Sequence, residues 1–296
     1  MSFRERVALL GASPGSVSLS WRPASVGRIG VLRLDHPTAR NALSPQMMVQ
    51  FADAVTALAA ACSDGNSDGN SYGNSYGDEV RAVVIGGVGP WFCAGGDLAA
   101  VQEHLLVDGA AREMQAFMRA ACDALSGLPV LVIAAVDGPA LGGGAELLTA
   151  CDLVFAAPDA KIGFVQAAMG VSPGFGGGAR LVRRLGARRA LDLLSRARPL
   201  DAHQALILGV VDEVVDGVPG AMGGPGAVWE RALARAQEVG SLPAAAARVI
   251  KPLVAQLAQP AGSADGSERA DVEAQVFASL WGGPEHVAAI QRFRRR

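Results

Sequence analysis

Two glycine turns, each placed after an apolar run, are the parts of this chain that could do chemistry. The first turn, at residues 95–96 within the segment FCAGGDL, follows the apolar run 82–85. The second turn has three consecutive glycines, residues 142–144, and follows the apolar run 130–136. Glycines between a strand and a helix let the backbone approach a ligand closely and leave unpaired N–H groups that point at it. One N–H donor from each turn would together form an oxyanion hole.

A single carboxylate follows the second turn. Glu146 lies three residues beyond Gly143, in an otherwise apolar segment. Burying a carboxylate costs free energy unless it is hydrogen-bonded or has a function. The alternative is that this acid only stabilises the dipole at the start of a helix. Because Glu146 stands beside a glycine turn, we favour a role in the site.

Two other glycine motifs invite different interpretations. Residues 11–15 match the G-x-S-x-G elbow, which would make Ser13 a nucleophile, but the elbow needs a helix after its serine and residues 16–21 have a strand pattern. Residues 174–179 resemble a dinucleotide fingerprint, but they follow a Val-Ser-Pro turn where a strand is required. We therefore interpret the first motif as a turn and the second as a structural loop beside a cleft.

Strands and helices are predicted to alternate along the chain and to position both glycine turns. Apolar or alternating runs predict strands at residues 17–21, 29–34, 82–85, 130–136, 154–156 and 161–164, and helical patterns cover residues 45–61, 111–125, 179–195, 202–208 and 227–239. This alternation indicates an α/β fold with parallel strand pairing.

We expect three regions along the chain. Residues 1–15 are predicted to be a loose leader, residues 16–215 the core, and residues 216–296 a helical C-terminal region. Within the core, residues 63–78 repeat Ser, Asp, Gly, Asn and Tyr, a composition that predicts a flexible surface loop.

Composition limits the function classes. Half of the 296 residues are apolar, so a sizeable core can form, and a net charge of −2 provides no field that would attract nucleic acid or an anionic membrane. Four widely spaced cysteines and four scattered histidines show no metal-ligand spacing and suggest reduced thiols. No 18-residue uncharged apolar stretch is present to span a membrane. We expect a cytoplasmic protein without a metal, nucleic-acid or membrane partner.

Taken together, the motifs resemble those of the enoyl-CoA hydratase/isomerase, or crotonase, superfamily. The resemblance covers roughly residues 18–215 and a C-terminal patch, and it is carried by RNAL at 40–43, FCAGGDL at 92–98, VDGPALGGGAE at 136–146, CD at 151–152, PGFGG at 173–177 and LGVVDEVV at 208–215. It implies a ClpP-like β-β-α spiral core and a helical C-terminal trimerisation region, in a homotrimer or a dimer of trimers.

The resemblance also implies a substrate and its contacts. The substrate would be a CoA thioester whose carbonyl is polarised by the N–H groups of Gly96 and Gly143, with no cofactor beyond the CoA of the substrate. By motif position, the residues expected to flank the adenine and pantetheine are Arg40, Asn41, Ala42, Ala94, Asp97 and Leu98. The C-terminal arginines, Arg292 and Arg294 to Arg296, are a candidate phosphate-binding cluster, although a solvated tail is the favoured interpretation.

The chain departs from the hydratase pattern at one position. Hydratases of this superfamily carry a second glutamate twenty residues after the first, where this chain has Gln166. Glutamine has no titratable proton and cannot act as a general base. The segments KIGFVQAAMGVSPGFGG at 161–177 and SLWGGPEHVAAI at 279–290 resemble instead the ethylmalonyl-CoA and methylmalonyl-CoA decarboxylase branch.

We therefore predict an enzyme that decarboxylates a short-chain alkylmalonyl-CoA, with Gly96, Gly143, Glu146 and Gln166 in its catalytic site. Loss of CO2 from a malonyl thioester leaves an enolate, which an oxyanion hole stabilises without a base. Glu146 and Gln166 are expected to face the acyl carbons from opposite sides, with Glu146 either orienting the carboxylate or supplying the proton. The alternatives are an enoyl-CoA hydratase or isomerase and a non-catalytic acyl-CoA-binding protein, although a binder would not need Glu146.

Overall fold

The computed structural model describes residues 2–11, 13–63, 79–217, 226–258 and 266–293. The predicted loop at residues 63–78 therefore lies outside the described residues, apart from Ser63 at the end of a helix. The arginines at positions 294–296 lie outside them as well.

Two sheets carry the described strands. The larger sheet has the order β1-β2-β3-β4-β6-β9 and the smaller one the order β5-β7-β8. The strands are β1 Ser16–Pro23, β2 Arg28–Asp35, β3 Val80–Gly87, β4 Leu131–Val136, β5 Ala140–Leu141, β6 Leu153–Ala156, β7 Lys161–Gly163, β8 Leu200–Asp201 and β9 Glu213–Val214. Among the described strands, β1 pairs antiparallel with β2 and β8 pairs antiparallel with β7. The other five pairs are parallel, so the predicted parallel pairing is confirmed.

The described α-helices alternate with the strands along the chain and continue into the C-terminal region. They are α1 Phe3–Ala8, α2 Pro45–Ser63, α3 Leu98–Ala100, α4 Ala110–Ser126, α5 Gly143–Leu148, α6 Gly177–Leu185, α7 Ala187–Arg196, α8 Ala202–Leu208, α9 Ala227–Gly240, α10 Ala244–Leu257, α11 Gly266–Leu280 and α12 Pro284–Phe293. A π-helical turn at Val101–Leu105 follows α3 directly. In the described ranges, no helix has the length and apolarity that a bilayer crossing requires.

The prediction of one helix over residues 179–195 was wrong. Two helices, α6 and α7, occupy this stretch, and Gly186 separates them with φ 80° and ψ 157°. A backbone at positive φ cannot continue a right-handed helix, and glycine adopts it without a steric penalty.

The prediction of a loose N-terminal leader was also wrong. Helix α1 begins with a capping box in which the Ser2 and Glu5 side chains each accept from the other's backbone N–H. Phe3 is 2% exposed, and its ring lies 5.1 Å from that of Phe117 on α4. Arg6 forms a two-point ion pair with Glu113, so α1 is held against α4 by both packing and charge.

The boundary predicted at residue 215 does not separate the core from the C-terminal helices. Helix α9 packs on strands β3 and β4, and its Trp229 is only 3% exposed. The helices that follow are more peripheral. Helix α10 docks on the core through ion pairs from Arg248 to Glu79 at 2.7 Å and from Lys251 to Asp152 at 2.7 Å.

Candidate active site

The two glycine turns contact each other. Leu141 N–H donates to the carbonyl of Cys93 at 2.9 Å, and Cys93 and Ala140 form a parallel bridge. Gly95 has φ +100°, and a Cβ placed on it would come within 3.1 Å of the Gly143 nitrogen. The structure therefore brings together the two turns that the sequence predicted to act jointly.

The N–H of Gly96 points away from its neighbouring strand segment. Leu43 N–H donates to Gly95 O at 2.7 Å, and Asp97 N–H donates to Leu43 O at 3.0 Å. These two bonds flank Gly96 in a parallel bridge, so the N–H of Gly96 itself is directed to the opposite side. That geometry leaves it available to a ligand.

Gly143 supplies the second donor at a helix start. It is the first residue of α5, where a backbone N–H has no partner within the helix. The preceding Gly142 has φ 54° and donates its own N–H to Gly163 O at 2.8 Å. This bond fixes the turn beside β7. The next N–H along the chain, that of Gly143, remains available to a ligand.

Apolar side chains surround both donors. Val101 Cγ2 and Met48 Cε each lie 3.9 Å from the position that a Cβ on Gly96 would take. The ring of Phe175 lies against Gly143, with Cε2 2.5 Å from an ideal Cβ. An apolar lining lowers the local dielectric, which strengthens hydrogen bonds to a developing negative charge.

The Glu146 carboxylate is 2% exposed and accepts four hydrogen bonds. Its Oε1 accepts from Gln166 Nε2 at 2.8 Å and from Gly174 N–H at 3.0 Å. Its Oε2 accepts from Phe175 N–H at 2.8 Å and from Gly177 N–H at 2.9 Å. Burial raises the pKa of Glu146, and the four donors oppose that rise. Since all four partners are donors, the geometry favours the ionised carboxylate, which only accepts.

The prediction that Glu146 and Gln166 face the acyl carbons from opposite sides was wrong. Their side chains are directly hydrogen-bonded, because a 3₁₀ turn at Gln166–Met169 brings the amide to the carboxylate. The ionised carboxylate, which three backbone N–H groups already favour, fixes the amide orientation, since a flipped amide would place its oxygen against the carboxylate. Gln166 Oε1 is buried and has no hydrogen-bond partner among the described residues.

A buried arginine that sequence reasoning missed completes this network. Arg180 on α6 is 4% exposed, and it donates from Nη2 to Phe175 O at 2.5 Å and from Nε to Thr149 Oγ1 at 3.1 Å. Its Nη1 pairs with Asp123 Oδ1 at 2.7 Å. The signal available in the sequence was its place between Gly177 and Leu181, on the side of α6 that faces the core.

The residues predicted to bind CoA divide into two groups. The side chain of Asn41 is fully buried and used internally, because it accepts from His36 N–H and donates to the carbonyls of Val88 and Trp91. Its side chain is therefore engaged within the protein, and the prediction that residue 41 flanks the CoA stays a prediction. Asp97 caps α3 by accepting from Ala99 and Ala100 N–H groups.

The remaining members of the CoA-binding prediction leave surfaces that a ligand could contact. Arg40 lies over the Trp91 ring at 5.1 Å, and Leu98 is 62% exposed. Ala94 is partly exposed, whereas Ala42 is 8% exposed. Their role in CoA binding stays a prediction.

The two alternative glycine motifs have structural roles. Ser13 Oγ donates to Gln46 Oε1 at 2.6 Å and is hydrogen-bonded to the Ser44 hydroxyl at 2.9 Å, which ties the N-terminal segment to the start of α2. The second motif forms the loop into α6, where Gly176 has φ +78°. Among the described residues, no cluster of His, Cys, Asp or Glu could hold a metal ion.

Comparison with known proteins identifies the family of this chain. A family model described as enoyl-CoA hydratase/isomerase matches residues 69–292. The chain belongs to this family, the crotonase superfamily, and has its spiral α/β fold. The crystal structure of enoyl-CoA hydratase from Bacillus anthracis superposes with a TM-score of 0.76 at 26% identity, covering 95% of this chain and 96% of that one.

Curated relatives indicate a narrower branch. The chain is 36% identical to the ethylmalonyl-CoA decarboxylase of Gallus gallus over 280 residues, which cover 94% of this chain and 84% of the relative. It is likewise 36% identical to the ethylmalonyl-CoA decarboxylase of Danio rerio, across 96% of this chain and 86% of that protein. The predicted resemblance to the decarboxylase branch is confirmed.

Proposed function

We propose that this chain is an alkylmalonyl-CoA decarboxylase that acts on short-chain substrates such as ethylmalonyl-CoA and methylmalonyl-CoA. The observation that carries the proposal is the neutral Gln166, hydrogen-bonded to Glu146, at the position where hydratases of the superfamily have a second carboxylate. Water addition needs a general base at that place, whereas decarboxylation does not. The names of the curated relatives support the same reaction.

The reaction follows from the two backbone donors. The thioester oxygen accepts from Gly96 and Gly143 N–H, so negative charge on that oxygen is stabilised. The bond between the α carbon and the carboxylate breaks, CO2 leaves, and the electron pair forms the enolate. A proton from the solvent side then bonds to the α carbon and gives the acyl-CoA. No metal or redox cofactor takes part in these steps.

The apolar wall around the donors favours the same reaction. A malonyl carboxylate that is moved from water into a lining of Phe175, Val101 and Met48 loses hydration, and the charge becomes spread over the enolate as CO2 leaves. The ionised Glu146 adds repulsion towards that carboxylate. Both effects raise the ground state more than the transition state, in which the charge has moved to the thioester oxygen.

Product analysis by mass spectrometry tests the function directly. With ethylmalonyl-CoA or methylmalonyl-CoA, we expect a product lighter by the mass of CO2. With crotonyl-CoA, we expect no product heavier by the mass of water. Hydration of crotonyl-CoA without any decarboxylation would make the chain a hydratase, and CoA-ester binding with neither product would make it a binding protein.

We propose further that the C-terminal helices form a trimer or a dimer of trimers. On helix α11, Val272, Val276 and Leu280 are half-buried, whereas Phe277 and the following Trp281 are 60% and 64% exposed. A cavity of about 410 Å³ lies between the ends of α10, α11 and α12 and is lined by apolar atoms around Trp281. Exposed apolar surface of this kind is typical of a protein interface.

Light scattering at micromolar concentration tests the assembly. We expect three or six times the chain mass of 30.2 kDa. Trp281→Ala is expected to weaken assembly and activity together, because a subunit contact near the site would be lost. The matched control is Leu191→Ala, which removes an exposed apolar side chain from α7. A mass near that of one chain would contradict the proposal.

The cytoplasmic location also remains a proposal. It rests on the absence of a long apolar stretch in the sequence and on the four buried, unpaired cysteines, which suit a reducing compartment.

A further inference from the structure

Phe175, in the loop before α6, is fixed at three points. Its backbone N–H donates to Glu146 Oε2 at 2.8 Å, and its carbonyl accepts from Arg180 Nη2 at 2.5 Å. The third point is its ring, which lies against the Cα of Gly143. The residue is 4% exposed, so little of this arrangement is open to solvent.

The ring contact connects Phe175 to the oxyanion hole. An ideal Cβ on Gly143 would lie 2.5 Å from Cε2, 3.1 Å from Cζ and 3.2 Å from Cδ2 of the ring. The ring therefore occupies the space beside the peptide whose N–H polarises the substrate in the proposed reaction. Moving the ring would allow water to approach that N–H and would let the turn shift.

Glu146 and Arg180 hold the loop from two sides and are connected to each other. Glu146 accepts the N–H groups of Gly174, Phe175 and Gly177, while Arg180 binds the intervening carbonyl. Thr149 closes the network, since its Oγ1 accepts from Arg180 Nε at 3.1 Å and donates to Glu146 O at 2.6 Å. The charge of Arg180 is balanced by Asp123.

Both oxygens of the Glu146 carboxylate are thus fully used as hydrogen-bond acceptors for groups of the protein. Each oxygen receives two N–H donors, and an acid that donated a proton to substrate would have to break this set. Gln166, the side chain that touches Glu146, keeps its Oε1 unpartnered among the described residues.

We propose that Glu146 and Arg180 are positioning residues that act on the substrate through Phe175, whose ring forms the wall of the oxyanion hole and of the acyl pocket. The inference deepens the proposed function, because it assumes that a thioester oxygen binds beside Gly143. It assigns substrate contact to Phe175 and removes the proton-donor role from Glu146.

A chromophoric probe tests the positioning independently of the reaction. A cinnamoyl-CoA absorbs at longer wavelength when its carbonyl oxygen is hydrogen-bonded, so its red shift reports the oxyanion hole itself. We expect Glu146→Gln to reduce the red shift and lower kcat by about 100-fold, the usual scale of a 1 Å misplacement. The physical reason is that the Gln amide would direct an NH2 group at N–H donors of the loop.

Arg180→Met is expected to act in the same direction as Glu146→Gln, by releasing the Phe175 carbonyl. Arg180→Lys, which keeps a donor, should restore part of the red shift. Phe175→Ala should reduce the shift as well, and adding Glu146→Gln to it should cost little more, because residues that act through one another are not additive.

Arg184→Met is the matched control. Arg184 lies on the same helix and binds carbonyls of Gly209 and Cys151, but it does not contact the loop at 174–177. We expect it to keep both the red shift and kcat. A Glu146→Gln variant with a full red shift and no turnover would overturn the proposal, since that result is the signature of a lost acid. If the wild type shifts the probe but decarboxylates nothing, the proposed function fails while the positioning role stands.

The pH profile of kcat distinguishes the two possible roles of Glu146, because a positioning carboxylate and a proton donor predict opposite changes of kcat with pH. Burial raises the pKa of Glu146 above its usual value, so protonation begins at a higher pH than for an exposed glutamate. A positioning carboxylate must be ionised, so kcat should fall as pH decreases through this pKa. A proton donor must be protonated, so kcat would fall as pH increases through the same pKa, and that outcome would also overturn the proposal.

Discussion

Replacing Gly143 with proline is expected to lower kcat by about 100- to 1000-fold, the usual cost of one oxyanion-hole donor. Proline has no N–H, and the first position of a helix tolerates it, so α5 itself should persist. The measurement is the rate of CO2 release from ethylmalonyl-CoA, together with the binding of the CoA ester. Binding should change far less than kcat, because the lost interaction strengthens in the transition state.

A control is needed because any side chain at this position meets the Phe175 ring. Gly143→Ala adds the same Cβ, 2.5 Å from the ring carbon, but keeps the N–H. The difference in rate between the two variants isolates the donor from the steric effect. Equal rates for alanine and proline would show that the N–H of Gly143 contributes nothing.

Gln166→Glu is expected to change the reaction as well as its rate. It places a second carboxyl group at the 2.8 Å contact with Glu146, and two carboxylates so close hold one proton between them with a raised pKa. A group that exchanges a proton near neutral pH can activate water, and general acid–base catalysis contributes about 10²- to 10⁴-fold. We therefore expect hydration of crotonyl-CoA to increase and decarboxylation to decrease.

Both rates should be measured on the same preparation, with Gln166→Met as the control that has neither an amide nor an acid. Methionine should lower decarboxylation without creating hydration. If neither rate changes in Gln166→Glu, the side chain does not line the site, and the choice of reaction must be determined elsewhere.

Local patterns in the sequence predicted the sheet and the two glycine turns. The strand at 29–34 and the strand at 82–85 are apolar runs with turn residues at their ends, and both are buried strands in the structure. The two turns could be predicted to lie together because glycines that follow neighbouring parallel strands lie at the same edge of the sheet. Their direct contact through Leu141 and Cys93 is the tertiary consequence.

The network behind the site could not be predicted in the same way. Glu146 and Gln166 were identified as polar groups in apolar surroundings, but their mutual hydrogen bond depends on how the chain returns after β7. Arg180 was overlooked because arginines on a helix usually face solvent, and only its tertiary contacts with Phe175 O, Thr149 Oγ1 and Asp123 Oδ1 explain its burial.

Short helices were missed for a different reason. Helix α1 has six residues and too weak a periodicity to stand out, and its stability comes from packing and from the ion pair between Arg6 and Glu113. The break at Gly186 was missed because the apolar pattern of α6 continues into α7, so only the backbone conformation reveals it.

The way in which Glu146 binds the loop bears on how the substrate range of this protein can diverge. The carboxylate recognises peptide N–H groups, which every residue except proline provides, so the loop keeps its shape when its side chains change. A Cβ on Gly174 would meet no atom within 4 Å, whereas one on Gly177 would lie 2.5 Å from Glu146 Cγ. In the proposed acyl pocket, a side chain can therefore be added at position 174 while Phe175 and the anchor at 177 stay constant. A change in the acyl group that is recognised would in this way leave the hydrogen bonds between Glu146 and the loop backbone intact.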